Sequence, residues 1–239
     1  MRLSKSYLKL YSILGLLVVI ITFIVSDIVI RSITKERIET IISSSLRALG
    51  DVYVDLSVFP AIKVISGQID SLYISAENVV INELPMRRIE IDAQNVVWPV
   101  GLDKDEIISI ENALADGKIK IVMNADDVND GIISKLSGIS NFKMSFEDGK
   151  VCMNGKTTIL SLPFNLFTQG DISAGPNNTV KYSIESIRVE GFEITNVIGE
   201  IVRNLLNFNF KLPDLPFALT LDSIDIQNDT IVFNGTSNR

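Results

Sequence analysis

The chain begins with a long apolar segment that predicts a membrane-spanning helix. Residues 10–26 carry no charge over 17 positions, and Arg2, Lys5 and Lys9 precede them. At about 1.5 Å per residue, such a helix reaches roughly 26 Å, close to the thickness of a bilayer's hydrocarbon core. No A-x-A-like site follows the segment, which favours an uncleaved anchor over the alternative, a cleaved signal peptide. We therefore expect residues 1–31 to form a cytoplasmic tip and a transmembrane signal anchor.

Four further stretches have the apolar spacing of helices. The last of them has the broadest apolar stripe, and two prolines beyond it prevent its continuation. The four are residues 32–49 with Gly50 behind them, a short helix between Pro60 and Gly67, a third capped by Asp126 or Asp127 and followed by Gly138, and residues 195–208.

Between these helices the apolar period changes to two, which is typical of half-buried strands. Asp148-Gly149 is the strongest hairpin signal, and Asn228-Asp229 separates the last two strands. Roughly ten strands joined by short turns favour an antiparallel sheet over βαβ units. One sheet face is steadily apolar, so the sheet must curl around a helix, pair with a second sheet or enclose something apolar. The predicted fold class is α+β, with one domain over residues 32–239.

The composition and net charge argue against some classes of binding partner. Hydrophobic residues make up 46% of the 239 residues and the mean hydropathy is +0.30, high for a purely soluble domain. Residues 32–239 contain 18 basic and 28 acidic residues, a net charge of −10. This charge argues against a nucleic-acid partner that needs phosphate neutralisation. Such a domain is also repelled by anionic lipid surfaces unless it is tethered.

The chain has few of the residue types on which common enzyme and metal sites depend. There is no histidine and a single cysteine, Cys152, which removes imidazole-based catalysis, His-ligated zinc and internal disulfides. The acidic cluster Asp103, Asp105 and Glu106 lacks the glycine and the terminal glutamate of a calcium loop. We expect no enzymatic activity, no metal and no cofactor. A carboxylate-dependent hydrolase is the least favoured alternative.

Two segments point to a known family. The first runs from Val54 through Phe59-Pro60 and Gly67 to Val79, and the second from Leu212-Pro213 to Val232. Together they resemble the LmeA-like family of bacterial envelope proteins, named after an actinobacterial lipomannan elongation factor and long catalogued as a domain of unknown function. In that family a strand ends in a Phe-Pro turn, a glycine and another strand follow, and a Leu-Pro precedes the last hairpin. The resemblance covers about residues 34–236.

The resemblance implies a tubular lipid-binding fold, in which a long curved antiparallel sheet wraps one or two amphipathic helices and leaves an apolar space for acyl chains. It implies that this chain binds membrane lipid, a phospholipid or a lipid-linked envelope precursor, for envelope lipid handling or assembly. It places the domain outside the cytoplasm of a bacterial cell on a single-pass anchor. A non-catalytic envelope scaffold with a solid core is the alternative.

The candidate lipid-lining residues lie on the last helix and on one predicted strand. The same positions also fit a packed core, because acyl chains and apolar side chains are chemically alike. Four arginines, Arg87, Arg88, Arg188 and Arg203, are candidates for contact with a phosphate at the open end. The candidate lining residues are Val197, Ile198, Ile201, Val202, Leu205, Leu206, Phe164 and Leu166.

Overall fold

A computed structural model describes residues 5–98, 117–135, 141–159, 162–189, 196–207, 209–212, 215 and 219–237. It begins with one helix, α1, Lys5–Leu46. The first part of α1 is exposed, and its last part is packed on the rest of the protein through Ile38, Ile42 and Leu46, each at most 1% exposed. The apolar segment and the first amphipathic stretch therefore form one continuous element.

Eleven strands in the described residues form two antiparallel sheets. The strands are β1 Val52–Ser57, β2 Gln68–Ile81, β3 Leu84–Val97, β4 Gly117–Asn124, β5 Phe142–Glu147, β6 Lys150–Ile159, β7 Leu162–Gly175, β8 Thr179–Val189, β9 Asn209–Lys211, β10 Thr220–Gln227 and β11 Thr230–Ser237. The first sheet has the order β1-β2-β3-β4-β11-β10, and the second has the order β5-β6-β7-β8-β9. The hairpins follow the predicted alternation, and Asp148 and Gly149 are both at positive φ in the β5–β6 turn.

The remaining helices are short. A 3-10 helix, Ala61–Ser66, ends at Gly67, whose φ of 76° is the left-handed conformation that glycine adopts without a steric penalty. Helix α2, Ala125–Gly131, follows β4 and leads into a 3-10 turn, Ile133–Lys135. Helix α3, Asn196–Leu206, follows β8 in the chain and contacts it.

Two asparagine side chains connect the sheets. The Asn129 amide on α2, which extends from β4, donates to the Met144 carbonyl of β5 (2.9 Å) and accepts from the Met144 N–H (2.7 Å). The Asn178 amide in the β7–β8 turn donates to the Leu219 carbonyl (2.6 Å) and accepts from the Leu221 N–H (2.9 Å) on β10. Each side-chain amide thus donates to a backbone carbonyl and accepts from a backbone N–H, which are the two hydrogen bonds that a neighbouring strand would form. One apolar core extends over both sheets.

The predicted α+β class, the N-terminal apolar helix and the curved antiparallel sheet are confirmed. Residues 32–49 do not form a separate helix, because no glycine or proline interrupts the chain after the apolar segment; α1 ends at Leu46 and Arg47 turns to positive φ. The expected cap of the third helix is wrong by two or three residues. Asn124 accepts from the Asp127 N–H, and the Asp127 carboxylate accepts from the Asn124 N–H. That helix stops at Gly131, well before Gly138.

Candidate lipid-binding interior

The second sheet presents an apolar face to the interior. On β7, Phe164 and Leu166 are 5% and 2% exposed, as expected for two of the candidate lining residues. Phe164 lies opposite Thr157 of β6, and Leu166 lies between Gly155 of β6 and Val189 of β8. Because side chains alternate along a strand, the polar neighbours of these residues face away from the interior.

Helix α3 contributes apolar side chains to the same interior. Val202 and Leu206 are fully buried in the core, and Ile201 is half-buried against it. The Ile184 N–H of β8 donates to the side chain of Asn207 at 3.0 Å, directly beyond the last helical residue. The helix is thereby fixed along β8. The side chains of three other candidates, Val197, Ile198 and Leu205, lie outside the part of the structure that is described.

A set of half-buried apolar residues extends this interior toward solvent. They occupy the core-facing positions of β7, β8 and β10, together with Ile201 of α3 and Phe210 of β9. The alternation of the strands contained the signal for them, but a strand pattern alone does not separate a fully buried position from a half-buried one. The strand members are Ile172, Ile184, Ile187, Val189, Ile224 and Ile226.

One polar pair lies within the apolar face of the second sheet. The hydroxyl groups of Thr168 and Tyr182 are 3.1 Å apart, and both residues are fully buried. Burial raises the pKa of Tyr182 to about 12, because the charged phenolate would lose its hydration there.

Four methionines, Met86, Met123, Met144 and Met153, are also buried, as gap-filling core residues are expected to be.

A concavity of about 450 Å³ lies on the opposite, outward face of the second sheet. The outward side chains that line it belong to Asn154, Lys156, Asn165, Phe167 and Arg188, while Gly155, Leu166 and Val189 complete it from the intervening core-facing positions. The guanidinium of Arg188 stacks 5.1 Å from the centre of the Phe167 ring. This concavity is polar at its rim and is separated from the apolar interior by the sheet itself.

The four candidate arginines are not gathered at one place. Arg87 and Arg88 lie on β3, Arg188 on β8 and Arg203 on the exposed side of α3. The guanidinium of Arg88 is paired with two carboxylates, Glu77 at 2.8 Å and Glu90 at 3.5 Å, and the hydrogen bond that it donates to Glu77 raises its pKa. Arg188 borders the outward concavity. Contact of these arginines with a phosphate stays a prediction.

In the described residues no group of three or more cysteine, aspartate or glutamate side chains is placed to hold a metal ion. Asp127 serves as a helix-capping group. Cys152 is buried, and desolvation raises the pKa of its thiol, which disfavours the reactive thiolate.

The exposed part of α1 has the surface of a membrane-spanning helix. One candidate span, Tyr11–Ser44, is long and apolar enough to cross a bilayer, and none of its most apolar window is buried in the folded domain. The Thr22 hydroxyl donates to the Val18 carbonyl at 2.9 Å within this segment, so it has an acceptor without water. The first charged residue after the apolar run, Asp27, pairs with Arg31 one turn later.

A model of the LmeA-like phospholipid-binding family matches residues 25–236, which is most of the chain. Searches of curated proteins and of solved structures found no match. The matched range agrees with the range of the sequence resemblance and includes both sheets, α2, α3 and the end of α1.

Proposed function

Because this chain belongs to the LmeA-like phospholipid-binding family, we propose that it is a single-pass membrane protein that holds the acyl chains of a phospholipid or lipid-linked envelope precursor in its apolar interior. The domain over residues 32–239 lies outside the cytoplasm in this proposal. In this proposal the protein sequesters lipid for envelope handling or assembly, and it makes or breaks no covalent bond.

The observation that carries the proposal is the half-buried apolar surface on β7, β8, β10 and α3. A packed core buries its side chains completely, whereas these isoleucines remain partly accessible on the face that is continuous with the core. An acyl chain placed there leaves water at about 0.8 kcal/mol per CH₂, on the order of 10 kcal/mol for a sixteen-carbon chain before ordering costs. Lining by Val197, Ile198 and Leu205, on the same helix, is part of the proposal.

The anchor supports the same function. The domain is acidic, and electrostatic attraction to anionic lipid does not hold it at a membrane. A covalent tether keeps the apolar interior close to its lipid source and raises the effective concentration of that lipid.

Photocrosslinking of a phospholipid with a diazirine on its acyl chain tests this function. The full-length protein is reconstituted in vesicles that contain the probe, irradiated and digested, and labelled peptides are identified by mass spectrometry. We expect label on the peptides of β7, β8 and α3 in addition to α1. A scaffold with a solid core would be labelled only where it touches the bilayer, and that result would overturn the proposal.

A matched pair of substitutions on β8 makes the test specific. Ile187→Trp fills the half-buried, core-facing position, and we expect severalfold less label on β8 and α3. Lys181→Trp adds the same side chain to an exposed position of the same strand, and labelling should stay at the wild-type level. Labelling of α1 serves as the internal control for reconstitution in both variants.

A further inference from the structure

The loop between β1 and β2 exposes three large apolar side chains next to the anchor helix. Phe59, Ile62 and Ile65 are 66%, 61% and 68% exposed, and we call them the apolar patch. Residues three apart lie on one side of a 3-10 helix. Ala61 and Val64 are buried on one side of Ala61–Ser66, which leaves Ile62 and Ile65 on the other side.

The level of this patch along α1 is set by direct contacts. The Ala61 N–H donates to the Asp27 carboxylate at 2.6 Å. Val58, Ala61 and Val64 form a small cluster against which Ile30 of α1 packs. The apolar patch therefore lies beside residues 27–30 of the helix.

Residue 27 is also where the membrane surface must lie if α1 spans a bilayer. The charge-free run ends at Ser26, and ionised groups such as Asp27 and Arg31 are costly in hydrocarbon. The helical members of the patch are within roughly 8 Å of that level, since Ile65 is four residues from Ala61 and a 3-10 helix rises about 2 Å per residue.

The charges around the patch are mutually neutralised. The Asp70 carboxylate accepts from the Phe59 N–H at 2.9 Å and from the Lys63 ammonium at 3.0 Å, and the backbone hydrogen bond is the main cause of its lowered pKa. On the adjacent turn of α1, Asp27 pairs with Arg31. The loop thus presents apolar side chains at the membrane surface without a net charge that would repel an anionic lipid.

We propose that the apolar patch inserts into the outer part of the lipid bilayer beside α1 and forms a second membrane contact. The proposal rests on the anchor described above. The partner is a lipid surface of either headgroup charge, because insertion of apolar side chains is driven by burial and the neighbouring ions are paired.

Spin labels at three single cysteines test the insertion. The full-length protein with Cys152→Ser carries the label at Ile62→Cys, Leu17→Cys or Leu49→Cys and is reconstituted in vesicles of phosphatidylcholine and phosphatidylglycerol. Leu17 lies in the apolar run, and Leu49 is an 81% exposed leucine beyond the other end of the packed part of α1. The distance from Asp27 to Leu46 along the helix is roughly 28 Å, so Leu49 is a matched apolar control far from the membrane.

The measurement is the ratio of collisions with oxygen, which enriches in bilayers, to collisions with a water-soluble nickel complex. We expect a severalfold higher ratio at Ile62→Cys than at Leu49→Cys, and the highest at Leu17→Cys. A low oxygen-to-nickel ratio at Ile62→Cys, together with a high ratio at Leu17→Cys, would contradict insertion of the apolar patch while still supporting α1 as the membrane anchor. Protection from both probes at Ile62→Cys would mean that protein covers the patch, which also contradicts insertion. A low oxygen-to-nickel ratio at Leu17→Cys would contradict the proposal that α1 spans the membrane.

Discussion

Single side chains in this protein serve to join elements as well as to fill the core. Phe164 and Leu166 were predicted from alternation, and both are buried on β7. Asn124 was not identified from the sequence as the N-cap of α2. Asn124, Asp126 and Asp127 all suit an N-cap by residue type, and only the backbone conformation decides among them. Asn129 and Asn178 carried no sequence signal, since a polar residue that bonds a distant strand resembles any other loop asparagine.

The buried Tyr182–Thr168 pair leads to a prediction for alkaline pH. The pKa of Tyr182 is raised to about 12 in the folded protein, whereas an unfolded tyrosine titrates near 10. Below pH 10 the phenol is neutral in both states. As the pH rises from about 10 toward 12, only the unfolded state loses the proton, so the stabilising effect of the neutral phenol is progressively lost.

The substitution Tyr182→Phe should remove the last step of a tyrosinate absorbance titration and flatten the loss of unfolding free energy above pH 10. It should also cost about 1 kcal/mol at neutral pH, because the hydrogen bond with Thr168 is lost. Tyr73→Phe, at a 37% exposed position on β2, is the control and should leave the absorbance step of Tyr182 in place. A titration unchanged at its alkaline end in Tyr182→Phe would contradict the burial of this phenol.

At the scale of elements, the sequence predicts strands better than it predicts helix ends. The strands follow from period-two alternation and strong turn pairs such as Asp148-Gly149, which are local features. The division of eleven described strands between two sheets is not local, because it depends on which edge strands pair. The continuity of α1 was missed since its two parts have different surroundings, although nothing in residues 26–32 stops a helix.

The connection between the sheets through α2 can be tested at Asn129. Asn129→Ala removes both hydrogen bonds to Met144, and we expect a loss of about 2 kcal/mol in unfolding free energy. Hydrogen exchange should accelerate at the Met144 amide. Asn204→Ala removes an exposed asparagine of α3 and is the matched control. Normal exchange at Met144 in Asn129→Ala would show that α2 does not hold β5 to the first sheet.

At the scale of the whole molecule, the anchor and the domain are attached to each other twice. The first attachment is the covalent one, in which α1 runs without a break from the apolar run into the core at Ile38, Ile42 and Leu46. The second is the contact of the 3-10 helix with α1, in which the Ala61 N–H donates to Asp27 and Ile30 packs against Val58, Ala61 and Val64. Family membership followed from motif order in the sequence, but this double attachment did not, because it joins residues 34 positions apart.

Two attachments predict a domain held in one orientation above the membrane. Polarised infrared spectroscopy of oriented bilayers measures this orientation as dichroism of the sheet amide band. Ser32→Pro breaks the helix at an exposed position at a cost of about 3 kcal/mol, and Asp27→Ala removes the acceptor of the Ala61 N–H.

We expect each single variant to keep most of the sheet dichroism, because the other attachment persists, and the double variant to lose it while the dichroism of the α1 amide band remains. Asp27→Asn combined with Ser32→Pro is the control, since the asparagine oxygen still accepts from Ala61, and it should behave as Ser32→Pro alone. Loss of dichroism in Ser32→Pro alone would show that the Asp27 contact does not orient the domain. Its retention in the double variant would show that neither the unbroken helix nor the Asp27 hydrogen bond is needed, and that apolar packing around Ile30 is sufficient.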